Sequence, residues 1–176
     1  MDPASAPPST ERISGLPPVT DTSPEVLVLG SFPSRQSLLK CEYYGNPRNH
    51  FWQIVEVLFL IDRDLPYTSR IARIAAHHIA LWDVIHSCRR EGSADDRILE
   101  PVKNDIAGFL ATHPSVRLIA LNGTAAKKFY FALENLPESR IAAILLPSTS
   151  PANTRISLSK KIQRWEIIRT GTAKKV

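Results

Sequence analysis

The chain has 176 residues, 43% of them hydrophobic, which is the size of one ordinary domain with enough apolar material for a core. No apolar run reaches membrane-spanning length and the N-terminus lacks the charged-then-apolar build of a signal peptide, so a cytoplasmic protein is expected. The two cysteines, Cys41 and Cys88, fit neither a disulfide framework nor a metal site, and His50, His77, His78, His86 and His113 show no metal spacing. No metal or cofactor is therefore expected. The formal charge is +5, and residues 154–176 carry Arg155, Lys160, Lys161, Arg164, Arg169, Lys174 and Lys175 against Glu166 alone. That asymmetry suits a polyanionic partner.

Residues 1–24 are rich in Pro, Ser and Thr and predict a disordered or loosely docked arm, with Gly15–Val19 (GLPPV) extended against the domain. Residues 25–170 then form one domain, and 171–176 a basic tail. The apolar run Val26–Leu29, stopped by Gly30, reads as a fully buried parallel strand. A turn held by Pro33 and a polar loop follow, and the chain enters a helix near Asn49, with helical spacing over Phe51–Ile61. Ser69–His77 predicts a second helix, Ile79–Trp82 a second strand ending at Asp83, and His86–Arg97 a polar loop. Next come a helix over about Asn104–Ala111, a third strand at Val116–Leu121 closed by Asn122-Gly123, and a helix at Thr124–Leu133. Ile141–Leu146 is the fourth strand, running into Pro147 and the segment STSPAN, and Ser157–Arg169 the last amphipathic helix.

Strands separated by helices imply parallel pairing with right-handed crossovers: an α/β three-layer α/β/α sandwich around a central four-stranded parallel sheet. Ligands of open parallel sheets sit beyond the carboxyl ends of the strands. Gly30–Ser34, Asp83, Asn122 and Ser148–Asn153 are expected to meet there. Phosphate-binding glycine patterns are absent. Tyr43, Tyr44, Asn46, Arg48, Asn49, Phe51 and Trp52 crowd one loop and helix start, and such rings, amides and a guanidinium suit a planar heterocycle on a phosphate chain. Trp52 reads better as the start of a helix, Tyr43 nearly as well as a core residue, and Asn49 also as a helix cap.

GSFPS followed by YYGNPRNHFW, with STSPAN downstream, resembles the motifs of the uracil-DNA glycosylase superfamily. The nearest branch is the hypoxanthine-DNA (deoxyinosine) glycosylases, then the mismatch-specific uracil glycosylases. The likeness covers Glu25–Arg169, and two cysteines are too few for the branches bearing iron–sulfur clusters. It implies a monofunctional DNA glycosylase of base excision repair. Such an enzyme flips a deaminated base from DNA and hydrolyses its N-glycosidic bond. Hypoxanthine is favoured, uracil is the alternative and xanthine a further candidate. The implied partner is DNA containing deaminated bases, with no membrane, and the protein is expected to be a monomer.

By the same resemblance, Phe32 stands where many members place a water-orienting Asp or Asn, and the hypoxanthine branch uses an Asn further along. Asn49 takes that role, with Asn46 in reserve where relatives often have His. Tyr44 aligns with the ring on which the base stacks, Phe32 forms the opposite wall, and Gly30 and Ser31 border the base. Asp83 stands where the superfamily reads the Watson–Crick edge. A carboxylate there accepts N1–H of hypoxanthine and repels the bare N1 of adenine. Equally, a strand-end Asp caps a loop or pairs with Arg89 or Arg90, and His86, Ser87, Cys88 and Arg89 are expected at the rim. Ser148 replaces a leaving-group His with a neutral hydroxyl. Ser34, Arg48 and Ser150 contact DNA, Pro151 stiffens the turn, and Asn153, Thr154 and Arg155 approach the duplex with Ile156 as the available wedge. No lysine stands at a motif position, so strand cleavage is not expected. Phe32 and Ser148, at two usually polar catalytic positions, leave open a catalytically silent DNA-binding module, and the basic C-terminal segment argues against a hydrolase of free nucleosides.

Overall fold

The computed structural model describes residues 11–21, 23–134, 136 and 141–171. Along the chain run β1 (Arg12–Ser14), β2 (Val26–Gly30), α1 (Arg35–Lys40), α2 (Phe51–Phe59), α3 (Tyr67–Ala76), β3 (Ile79–Asp83) and β4 (Ile85–Arg89). They are followed by β5 (Leu99–Lys103), α4 (Ile106–Thr112), β6 (Leu118–Asn122), α5 (Thr124–Phe131), β7 (Ala142–Leu146), α6 (Leu158–Trp165) and α7 (Ile167–Gly171). The main sheet has the order β3-β2-β6-β7, every pair parallel, so β2 is covered on both edges and both faces.

Alternation along β2 divides the interior. Val26 and Val28 face one core with Phe51, Trp52, Ile54 and Val55 of α2, Ile74 of α3, Trp165 of α6 and Ile168 of α7. Leu27 and Leu29 face the other, with Ile106, Phe109 and Leu110 of α4 and Tyr130 of α5. Successive side chains of a strand point to opposite faces, so one apolar run serves both helical layers. Each such side chain contributes about 1.5–3 kcal/mol on leaving water. The α/β/α sandwich expected from the sequence is the fold observed.

The structure departs from the expected elements in several places. The stretch expected as a polar loop from His86 to Arg97 is partly strand: β4 pairs antiparallel with β1 on one side and β5 on the other, making a small second sheet. Within the arm expected to be disordered or loosely docked, Arg12, Ile13 and Ser14 join this sheet opposite Arg89, Cys88 and Ser87. Ile13 packs on the small cluster of Phe32, Ile85 and Cys88, and Val19 pairs with Leu81, so GLPPV does lie extended on the domain. Residues 1–10 and 172–176, most of the expected arm start and basic tail, lie outside the described residues. Between β2 and α2, the loop also holds a short helix, α1, started by the Ser34 hydroxyl accepting from Ser37 N and ended by left-handed Cys41. The last helix divides at Glu166 into α6 and α7.

Candidate active site

All four strands of the main sheet end at one cavity of about 620 Å³. Gly30 stands directly beside Asp83 in the β2–β3 register. A Cβ on Gly30 would lie 2.3 Å from Asp83 Oδ1, so the glycine is what lets the carboxyl occupy this corner. Asp83 is 4% exposed, and its Oδ2 is buried with no hydrogen-bond partner. Burial, then the nearby Asp95 charge, raise its pKa to about 7, opposed by the Arg90 guanidinium. Neither arginine neutralises it by an ion pair. Arg89 pairs with Glu100 at 3.4 Å, whereas Arg90 donates to the Pro33 carbonyl and lies 4.9 Å over the Phe32 ring. The remaining Arg90 donors, Nε and Nη1, are buried without partners.

The loop before α2 supplies the facing wall. Tyr44, with φ at 56°, lines the cavity, and its ring stacks on Phe51 with centroids 4.0 Å apart, which occupies one face. Its hydroxyl is buried, and burial raises its pKa, with Asp83 adding to the effect and the Asn122 amide opposing it. Tyr43 is mostly committed elsewhere. Its hydroxyl donates to the carbonyls of Leu16 and Pro17, each at 3.1 Å, while its own carbonyl accepts from Trp52 Nε1. Asn46 Oδ1 accepts from Arg48 N at 3.0 Å, and Asn49 Oδ1 accepts from Phe51 N at 2.9 Å at the start of α2. Both amide oxygens thus serve the backbone, which leaves the two amide NH2 groups as donors for the cavity that Asn46 and Asn49 line.

Opposite, Pro147–Asn153 forms a turn fixed from several sides. Asn122 holds Thr149 through both amide atoms, each bond 2.9 Å, and the Thr149 carbonyl accepts from His50 N. Gly123 (φ 94°) makes room for Ser148, since a Cβ there would lie 2.8 Å from the Ser148 Cβ. Ser148 Oγ accepts from Ser150 N and keeps its O–H to donate; Ser150 Oγ accepts from Ala152 N. Asn153 Nδ2 closes the turn on the Ser148 carbonyl.

The cavity brings together Gly30, Ser31, Phe32, Ser34, Tyr44 and Asn46. On its other sides are Arg48, Asn49, Asp83, Ser148, Ser150 and Pro151. Asn153 and the exposed Arg155 stand outside it. Phe32 touches the cavity, yet it is only 6% exposed and packs with Ile85 and Cys88. The expected rim of His86, Ser87, Cys88 and Arg89 is not there, because β4 carries these residues away from the cavity. Ser93–Asp95 return in their place. Asp95 Oδ1 accepts from Ser31 Oγ at 2.6 Å, and Ser93 Oγ accepts from Arg35 N at 2.9 Å. Burial pushes the Asp95 carboxyl up as well. Sequence reasoning passed over Asp95, and no local motif marks it. Among the described residues, no three His, Cys, Asp or Glu side chains cluster as metal ligands, and no helix is long and apolar enough to cross a membrane.

A parallel sheet whose strand ends meet at a ring-and-amide slot is the build of an α/β enzyme acting on a planar ligand. The chain belongs to the uracil DNA glycosylase superfamily, whose model matches residues 17–169. A protein of Methanosarcina acetivorans named hypoxanthine DNA glycosylase is 36% identical over 156 residues, 88% of this chain and 96% of its own. A second protein of that name, from Methanosarcina barkeri, is 33% identical over 149 residues, 84% of this chain and 92% of its own. A solution structure from Methanosarcina acetivorans, titled as a candidate uracil DNA glycosylase, superposes with a TM-score of 0.79 at 34% identity. That match covers 93% of this chain and all of the other.

Proposed function

We propose that this chain is a monofunctional DNA glycosylase that flips hypoxanthine out of DNA and hydrolyses its N-glycosidic bond in base excision repair. The observation that carries the reading is a buried, unpaired carboxyl, Asp83, set across one slot from Tyr44 and the amide donors of Asn46 and Asn49. Asp83 accepts the N1–H of the extruded lactam; adenine presents a lone pair at N1 and is repelled. The free face of Tyr44 stacks on the base, contributing about 1–3 kcal/mol.

Base release breaks the C1′–N9 bond, and the electron pair leaves with the purine. An amide is no base, so bond breaking runs ahead of attack. Asn49 Nδ2 holds the water by donating to its oxygen, and that oxygen then captures the oxocarbenium carbon. The water's proton passes to the departing base or to solvent. The Ser148 O–H and the Asn46 amide donate to the negative charge developing on the base. Ser34, Arg48, Ser150 and Arg155 contact phosphates, Pro151 stiffens the turn between them, and Asn153 fixes its shape. Phe32, Gly30 and Ser31 shape the floor of the slot. The enzyme acts as a monomer in the cytoplasm.

Duplexes carrying one inosine, uracil or xanthine test the reading. Abasic sites are expected from inosine, with less from uracil, whose N3–H meets the same carboxyl. Retention of the inosine duplex without any abasic product would mark a silent binding module and refute the enzyme.

A further inference from the structure

Lys161 of α6 has no solvent exposure, which is rare for a lysine. Its Nζ donates to the Asn153 carbonyl at 3.0 Å and to His50 Nδ1 at 3.3 Å. Those acceptors belong to different walls of the slot: His50 follows Asn49 at the start of α2, and Asn153 closes the turn bearing Ser148 and Ser150. One direct rung already joins these walls, His50 N to the Thr149 carbonyl at 2.9 Å. One helical turn beyond Lys161, on the same face of α6, Trp165 Nε1 donates to the Pro147 carbonyl at 2.9 Å. Hence α6 grips both ends of the 147–153 turn; Trp165 also packs edge-on against Phe51 of the opposite wall, and Lys161 adds a hydrogen bond to that wall at His50.

An apolar side chain of equal length would fill this space without the cost of burying an amine. Filling space therefore does not account for Lys161, whereas its two bonds do. Because the lysine donates, His50 Nδ1 must accept, so the ring is neutral with its proton on Nε2. Burial and the lysine charge both lower the His50 pKa, which keeps the ring in that accepting state.

We infer that Lys161 is a positioning residue: its buried amine ties the helix start carrying Asn49 to the turn carrying Ser148 and thereby sets the spacing of the two walls around the base. The role rests on the base-release reading above, and the tie itself stands on the hydrogen bonds.

Lys161→Met keeps the bulk and removes the donor. Single-turnover release of hypoxanthine from an inosine duplex is expected to slow about tenfold or more. Affinity for the same duplex should change by less than about threefold. Lys161→Ala leaves room for a small amine, and added propylamine, but not propanol, is expected to restore part of the rate. A methionine variant releasing base at the wild-type rate overturns the inference, as does an alanine variant indifferent to propylamine. Should the wild type release no hypoxanthine, the substrate reading fails instead. Amide exchange at His50 then decides the tie, since it must quicken in Lys161→Met if the lysine holds the walls together, and unchanged exchange overturns it.

Discussion

Asp83→Asn tests the physical heart of the site, a carboxyl buried without a partner. Asp83 titrates near 7 in the folded protein against an ordinary value of 3.8. Below the lower value the group is protonated in both folded and unfolded chains. As pH rises, the unfolded chain releases the proton first, so this group's stability contribution declines through the folded value and levels off above it. A difference of roughly three pKa units corresponds to about 4 kcal/mol. Asparagine has the same shape and no charge at any pH. Urea unfolding of both proteins at pH 4.5 and pH 8 should therefore show the variant gaining on the wild type by about 3 kcal/mol between the two conditions, since the unfolded carboxyl is already mostly ionised at the lower pH. Titrations of groups that do not interact with Asp83 cancel in that difference. Parallel stability–pH curves would refute the reasoning, because they would mean Asp83 is solvated or paired when folded. The same group should govern activity: hypoxanthine release by the wild type is expected to rise through about pH 7 as Asp83 ionises, and the limb should vanish in the variant.

Asp95→Asn keeps an acceptor for Ser31 Oγ and removes the like charge, so the limb should move to lower pH; a limb that stays put would show that Asp83 does not feel Asp95. Asn49→Ala is expected to cut base release by about 100-fold or more while the inosine duplex still binds. Calorimetry should also show a loss of about 1 kcal/mol, since Phe51 N loses its acceptor. Unchanged turnover would remove Asn49 from the mechanism. Gly30→Ala places a methyl 2.3 Å from Asp83 Oδ1, so the carboxyl or the strand must move. Denaturant titration should register about 1–3 kcal/mol of lost stability, and release of hypoxanthine should fall with it.

The main sheet was legible because Val26–Leu29 and its three companions are continuous apolar runs; full cover on both faces explains this for β2, while β7, with Ala142 and Leu145 exposed, keeps the run at the sheet edge. The small sheet was not. His86 and Arg89 of β4 are exposed while Ser87 and Cys88 are buried, and β5 is exposed along its length with Pro101 in the middle. Such strands owe their existence to partners distant in sequence rather than to any local pattern. The same divide runs through the site. Gly30, Tyr44, Asn49 and Ser148 sit in motifs that the sequence displays, and the structure gathers them around one cavity. Asp95 reaches that cavity only because β4 and β5 fold its loop back over Ser31, so no reading of neighbours along the chain finds it. Sequence also hid the division of labour within the asparagines, whose oxygens were claimed by the Arg48 and Phe51 amides.

The N-terminal strand has a further consequence for handling the protein. Because Arg12–Ser14 occupies one flank of β4, a shortened form beginning at Glu25 would present that flank as a row of bare amides and carbonyls, with Cys88 uncovered where Ile13 had lain. Open flanks of this kind recruit other chains. Self-association at concentrations where the longer polypeptide stays dispersed would be the price of trimming what looks, by composition, like dispensable leader.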